Sequence, residues 1–293
     1  MENPVLWAPS AERVAACQLT QFREEVAAKH GLALPDYEAL HRWSLEQREA
    51  FWREVWALGA VLGEGALEPT LLNDVMPGAQ WFPEVSLNYA ENCLRRRDGG
   101  VAIISSVEGL QRRELSWGAL HDQVARLASR LRALGVGPGV RCAAYTPNIP
   151  EAVVALLAVT SLGGVWSSCS PDFGSSAVLD RLGQVEPLVL FACHEYTCAP
   201  PCPPPPPPHP PTAPIGLLPA AALIPPLRPA DKAKSFDRLG EVAEVLASLD
   251  SVAHCIILGP GASQQAADTL ASSSNLGSVQ LLEAMVQPAD GEG

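Results

Sequence analysis

Basic charge is scarce in this sequence. Twenty Lys and Arg stand against 32 Asp and Glu over 293 residues, for a net charge of −12. Broad binding to nucleic acid or to an anionic membrane surface needs basic patches, so the composition argues against both and leaves room only for a local anion site. Cysteine is sparse too: eight residues and no CxxC pair, which excludes a disulfide scaffold. Cys198 and Cys202 are four apart, but Pro201 and Pro203 flank Cys202 and the nearest His is His209. Zinc needs four ligands, so no metal site is expected. Met1-Glu2-Asn3 carries neither the basic start nor the apolar run of a secretory leader. Reduced, mostly buried thiols in the cytosol are the expectation. GxGxxG is missing, as is a phosphate loop closing on Gly-Lys-Ser/Thr. Ala152 to Pro171 is free of charge over 20 positions, a nominally spanning length. Gly163-Gly164 interrupts it and Ser167, Ser168 and Ser170 follow, so it reads as a buried helix, a turn and a buried strand.

What is present is a change of period along the chain. Residues 18 to 63 read as two helices separated by Pro35, with Phe22, Val26, Trp43, Phe51, Trp52, Val55 and Trp56 at mixed steps of three and four. That aromatic face reads as core. Val101–Ser105 and Arg113–Trp117 read as a hairpin. Leu120, Val124, Leu127, Leu131 and Leu134 then form an apolar stripe, which Gly135 and Gly137-Pro138 should end. Val140–Tyr145 reads as a strand. Asn148 can cap the next helix, with Pro150 in its first turn and Glu151 at capping-box spacing. Val165–Ser168, Ser175–Leu182 and Leu188–Ala192 read as strand, helix and strand. Short apolar strands alternating with helices are buried on both faces, so the class is α/β with a mostly parallel sheet.

The pattern stops at Cys198. Pro200 to Pro229 holds 15 prolines in 30 residues, six of them consecutive at Pro203–Pro208. Such a stretch forms neither ladder and is expected to be polyproline II or disordered. A weaker α/β signal resumes with a helix through Phe236, Leu239, Val242, Val245, Leu246 and Leu249, then a strand at Val252–Leu258. Ala262 to Gly277 reads as loose, and Leu281–Val286 as one last apolar turn. The expected organisation is thus an N-terminal helical region over 1–95 and the first part of an α/β domain over 96–197. A disordered Pro-rich segment over 198–230 and a partial α/β continuation over 231–293 follow.

Unaided catalytic signal is slight. Gly135-Val136-Gly137-Pro138-Gly139 follows a helix and precedes a strand, the reverse of a phosphate cradle. His121 and His254 have no partner in sequence. The best candidate is Ser167 to Gly174, which sits at the carboxyl end of a buried parallel strand, the edge where open α/β sheets bind ligands. Asp172 could equally cap the following helix. Both readings stay open on the residues alone.

Three segments carry a resemblance. Trp81-Phe82-Pro83 with Leu87-Asn88-Tyr89-Ala90-Glu91-Asn92 resembles the N-terminal region of acetyl-CoA synthetases. Pro147-Asn148-Ile149-Pro150-Glu151-Ala152 resembles the strand-to-helix turn of the first βαβ unit of the adenylate-forming enzymes. Trp166 to Gly174, reading Trp-Ser-Ser-Cys-Ser-Pro-Asp-Phe-Gly, resembles the acetoacetyl-CoA synthetase (acetoacetate–CoA ligase) branch in particular. The resemblance covers residues 5 to 197 well and 231 to 287 in outline. It implies the N-terminal portion of an adenylate-forming fold and a cytosolic ligase using ATP, Mg²⁺ and CoA. The carboxylate is activated as an acyl-adenylate and passed to CoA, putting ketone-body carbon into lipid synthesis. It also makes Ser168, Asp172, Phe173 and Gly174 candidates for a substrate or CoA channel.

The sequence departs from that family where the phosphate chemistry sits. The family's Ser/Thr/Gly-rich loop ends in a lysine, and the last lysine here is Lys234. The later nucleotide motifs and the C-terminal lid are not in the sequence. Cys198 to Leu227 holds no Lys or Arg where the family places cations for the CoA phosphates. The chain by itself is therefore expected to bind none of these cofactors productively, and no catalytic or metal residue is assigned. The alternative is a non-catalytic protein whose Pro203–Pro208 run meets a polyproline-binding partner with an aromatic groove.

Overall fold

A computed structural model of the chain describes residues 7–106, 112–198, 234–259, 262–274 and 276–287. They fall in two compact units that meet in sequence at Asn88 and Tyr89. The expected disorder of the Pro-rich segment lies, apart from Cys198, outside the described residues.

The first unit is helical with two small ribbons. It holds α1 (Ala11–Ala15), α2 (Gln18–His30), α3 (Tyr37–Glu46) and α4 (Arg48–Leu58). Antiparallel pairs β1 (Glu64–Gly65) with β4 (Val85–Ser86) and β2 (Leu71–Leu72) with β3 (Gln80–Trp81) follow. The break at Pro35 is as expected, but a second occurs at Gln47, whose φ of −123° and ψ of 54° leave the helical region. That corner lets Trp43 and Phe51 meet edge to face at 6.1 Å. Phe22, Val26, Leu40 and Trp43 are the buried core here. Trp52 departs from the expected core face. It is 43% exposed and leans edge-on against Trp81 at 5.8 Å.

The second unit begins with α5 (Tyr89–Cys93) and the hairpin β5 (Val101–Ser105) and β6 (Arg113–Ser116). Then come α6 (Trp117–Ala133), β7 (Arg141–Tyr145), α7 (Pro150–Ser161), β8 (Val165–Cys169), α8 (Ser175–Val185) and β9 (Val189–Ala192). A second ribbon joins β10 (Glu195–Cys198) and β11 (Lys234–Asp237). The remainder is α9 (Leu239–Ser248), β12 (His254–Ile257), α10 (Gln264–Ser273), β13 (Ser278–Leu281) and α11 (Leu282–Val286). Strands β13, β12, β9, β7 and β8 lie side by side in that order, every pair parallel. The α/β class with a parallel sheet is what the sequence implied.

The pleat explains the layers. Successive strand residues point to opposite faces. Cys142, Ala144, Val189, Phe191 and Ile256 pack with α6, α7 and α11, while Ala143, Tyr145, Leu190, Ala192 and Ile257 pack with α8, α9 and α10. Full burial of each large apolar side chain contributes ~1.5–3 kcal/mol, so the two faces together hold the sheet. Ser116 caps α6 by accepting from the Ala119 amide at 3.2 Å, and Gly135 takes the left-handed φ of 88° that ends it. Strand β8, like β13 at the opposite edge, is an exception to burial on both faces. It lies at the sheet edge, with Val165 and Ser168 exposed.

Three expectations after the proline-rich segment need correction. Phe236 is in strand β11, not in the helix, which starts at Leu239 beside an Asp237 carboxylate that accepts from its amide at 2.8 Å. Ala262 to Gly277 is not loose. Ser263 caps α10 and buries Ala266, Ala267 and Leu270 against the sheet, since alanine is the best helix former and packs closely. Ser278–Leu281 adds an unforeseen parallel strand on β12. Among the described residues no helix is long and apolar enough to cross a membrane.

Two outcomes follow. Glu195 pairs with Asp237 and Cys198 with Lys234, so residues 199–233 leave and re-enter at the tip of one antiparallel ribbon. Replacing them by Asn-Gly, the two-residue turn such ribbons favour, is expected to keep the melting temperature within about 4 °C. Loss of exchange protection in β9 would contradict this. Burial also pushes the thiols of Cys142 and Cys255 up to about 12 and that of Cys193 to about 11, whereas Cys17 is exposed. The thiolate is the reactive form, so mass spectrometry after iodoacetamide at about pH 8 should find Cys17 alkylated and those three intact until the chain unfolds.

Candidate functional site

A cavity of about 590 Å³ opens where the carboxyl ends of β7 and β8 meet α7 and the β5 edge. Its apolar wall is Ile103, Ile104, Val153, Leu156 and Trp166; its polar groups are Ser105, Ser106, Thr146, Asn148, Ser168 and Ser170. Among the described residues no charged side chain lines it. The β5–β6 hairpin reaches this place through Arg113, which donates from both terminal nitrogens to Glu151 at the start of α7, at 2.9 and 3.2 Å. Trp166 rests on Phe191 with ring centroids 5.4 Å apart. The cavity therefore takes its shape from the sheet, and the Arg113–Glu151 ion pair lies outside its wall.

The turn before α7 differs from its expected form. Ile149, not Asn148, is the N-cap and it has no side-chain cap, with Pro150 at the first position. Glu151 is spent on Arg113 rather than closing a capping box. Asn148 is left exposed at the cavity.

The four candidate residues do not stay together. Ser168 is exposed on β8 and lines the cavity. Asp172, Phe173 and Gly174 sit beyond it in the connection to α8. Gly174 is the N-cap of α8 without a side-chain cap, so Asp172 does not cap the helix. Its carboxylate instead accepts from Ser170 Oγ at 2.9 Å and from the Tyr196 hydroxyl at 2.9 Å. Its amide donates to Ser170 Oγ at 3.3 Å. Phe173 lies under the Arg181 guanidinium, 4.3 Å from the ring centre. Of the four, only Ser168 meets the cavity directly, and Ser170 joins the two groups.

Residues that the sequence reading passed over hold this turn. Tyr145, the last residue of β7, donates its buried hydroxyl to the Phe173 carbonyl at 2.6 Å and lies 3.2 Å from the Pro171 carbonyl. Tyr196 on β10 accepts from Arg238 Nη2 at 3.3 Å, and Arg238 Nη1 donates to Glu241 at 2.7 Å. Burial pushes both tyrosines above their ordinary value, Tyr145 and Tyr196 alike, so both stay protonated and donate. The Arg238 guanidinium is held above its ordinary range, first by its bond to Tyr196. A polar residue ending an otherwise apolar strand was the one available signal for Tyr145. Nothing in the sequence around Arg238, past the prolines, marked it.

No three His, Cys, Asp or Glu side chains among the described residues converge where a metal could sit. The described wall offers hydroxyls, one amide and apolar surface, which suit an uncharged group and give a polyphosphate no cation.

Comparison with known proteins bears on this arrangement. Residues 90–290 match the family profile described as AMP-binding enzyme, and residues 37–93 that of the acetyl-coenzyme A synthetase N-terminus. The acetoacetyl-coenzyme A synthetase of Rhizobium meliloti is 42% identical over 195 residues, 67% of this chain and 30% of that protein. The acetoacetyl-CoA synthetase of Macaca fascicularis is 37% identical over 198 residues, 66% of this chain and 29% of its own length. The solved structure of acetoacetyl-CoA synthetase from Streptomyces lividans superposes with a TM-score of 0.76 at 36% identity, over 99% of this chain and 39% of that one. The chain thus spans about three tenths of the length of the curated relatives it matches.

One outcome tests the geometry of the turn. Tyr145→Phe strips a buried donor from two carbonyls and is expected to cost about 1–3 kcal/mol of unfolding free energy in urea. A cost under about 0.5 kcal/mol, the usual range of neutral surface changes, would mean the hydroxyl does not hold the turn.

Proposed function

The chain belongs to the AMP-binding enzyme family, and from that premise we propose that it is the N-terminal portion of a cytosolic acetoacetate–CoA ligase. The reaction would take ATP, acetoacetate and CoA to acetoacetyl-CoA, AMP and pyrophosphate, feeding lipid synthesis. Relatives of that name at 34–42% identity support the reading. The observation that carries the role of these residues is the cavity at the carboxyl ends of β7 and β8, whose described wall carries no charged side chain.

The division of labour follows from charge. Adenylation makes a carboxylate, a weak nucleophile, attack a phosphate. That step depends on positioning and on donors for phosphate charge. Three lysines occur in the whole chain, the last being Lys234, and among the described residues no Lys or Arg lines the cavity. These residues therefore do not stabilise the phosphates. What they supply is a neutral wall that excludes water from the acyl group or from the uncharged thiol arm of CoA. Ser168, Ser170 and Asn148 are its hydrogen-bonding groups. ATP, Mg²⁺ and CoA belong to the ligase reaction, and the 293 residues by themselves bind none of them productively.

Pantetheine, the uncharged thiol arm alone, tests the cavity. With the purified chain at millimolar pantetheine, the Trp166 indole and the Ser168 and Ser170 amides are expected to shift in nuclear magnetic resonance spectra. A Ser168→Trp variant, which fills the cavity, should abolish those shifts. Shifts scattered elsewhere, or none in the folded wild type, would remove this reading of the cavity. Acetoacetyl-CoA formed by the chain alone from ATP, acetoacetate and CoA would overturn the proposed inactivity.

A further inference from the structure

The turn from β8 to α8 is held from a distance. Ser170, which lines the cavity, is tied to Asp172 twice: Oγ donates to the carboxylate at 2.9 Å and accepts from the Asp172 amide at 3.3 Å. The second carboxylate oxygen of Asp172 is taken by Tyr196 at 2.9 Å. Tyr196 in turn accepts from Arg238, which Glu241 anchors at the start of α9. The Tyr196 ring is itself fixed by stacking on Phe236 across the β10–β11 ribbon, with centroids 5.3 Å apart. A cation, a phenol, a carboxylate and a serine hydroxyl thus run in one line from the ribbon to the cavity wall.

We propose that Tyr196 and Arg238 are positioning residues for the cavity, acting through Asp172 to fix the orientation of the Ser170 hydroxyl. The physical reason is the accounting of acceptors. A carboxylate with one oxygen unpaired turns toward water or toward another donor. With Tyr196 in place, Asp172 has a donor on each oxygen and the turn has one conformation. With Tyr196 silent, Asp172 is free to rotate and releases Ser170 Oγ. Charge-assisted bonds of this kind are the strong ones, and Arg238 polarises the phenol that makes one of them. Tyr196 and Arg238 do not line the cavity, and the side-chain hydrogen bonds that lead from them to Ser170 run through Asp172. The positioning stands on geometry alone; its consequence for an acyl or thiol-arm ligand rests on the functional reading above.

Hydrogen exchange resolved at residues 170–174 of the whole chain tests this, in the wild type and in Tyr196→Phe, Asp172→Ala and Asp172→Asn. Tyr196→Phe keeps the ring stack and removes only the hydroxyl. It and Asp172→Ala are expected to speed exchange of the Asp172 and Phe173 amides about tenfold. Protection in β7, β9 and β12 should remain that of the wild type, which shows that each variant is folded. Asp172→Asn still accepts from Tyr196 and still bonds Ser170, so it should restore the turn to within about threefold of the wild type. A purely packing role for the side chain would not distinguish Asn from Ala in this way. Wild-type exchange of the turn in Tyr196→Phe would overturn the proposal, as would Asp172→Asn exchanging as fast as Asp172→Ala. Pantetheine added to the same samples separates the two claims. If it shifts no residue in any of them, the functional reading fails while the exchange rates still decide the positioning. If it shifts Ser170 in the wild type and several-fold less in Tyr196→Phe, both hold.

Discussion

Strand β7 is the constraint on which the second unit is built. It is hydrogen-bonded on both sides, to β8 and to β9, and its residues Cys142 to Tyr145 are buried on both faces. A strand in that position tolerates no register slip, because moving it by one residue exchanges its two faces. Cys142 and Ala144 must meet α6 and α7, and Ala143 and Tyr145 must meet the opposite helices. The register then fixes where the strand ends. Tyr145 arrives opposite Cys169, and its hydroxyl lands on the carbonyls of the turn that follows β8. The position of the candidate site is a consequence of packing in the sheet.

The same constraint separates the site's two parts. One is a neutral cavity between α7, the hairpin and the end of β8. The other is a polar line running through Asp172 to the β10–β11 ribbon. Ser170 belongs to both. Its hydroxyl is where the ribbon's hydrogen bonds reach the cavity wall. The ribbon is also where residues 199–233 enter and leave, at positions that face each other across two strands. Strand ends that already face each other can be joined by connections of different length without asking the sheet to move, because a longer connection costs little more.

Much of the second unit was legible in the sequence because its signals are local. The stripe Leu120 to Leu131, the stop at Gly135 and the strand at Leu188–Ala192 all appear where period and punctuation put them. What was missed depends on partners far away in sequence. Ser263 to Ser273 looked polar and loose, yet Ala266, Ala267 and Leu270 make a helix once the sheet offers a surface. Gln47 bends two helices apart for the sake of an aromatic contact that no local rule names. The site divides in the same way. Ser168 was found because the stretch Ser167 to Gly174 closes a strand that reads as buried, and because the resemblance singled it out. The role of Asp172 was not, because Tyr196 is 24 residues away and Arg238 lies beyond the prolines. Asn148 and Glu151 had capping-box spacing, but Arg113 offered Glu151 a better partner.

In the proposed function these residues form a folded wall for a ligase reaction whose phosphate chemistry they do not perform. Acetoacetate-dependent exchange of labelled pyrophosphate into ATP isolates the adenylation half of that reaction and tests this most directly. For the purified chain, with β7 and β9 shown by hydrogen exchange to be protected, no exchange above the rate without acetoacetate is expected. Label entering ATP in proportion to protein and to acetoacetate would contradict it, and would mean that the described residues hold phosphate charge by means other than a lysine loop.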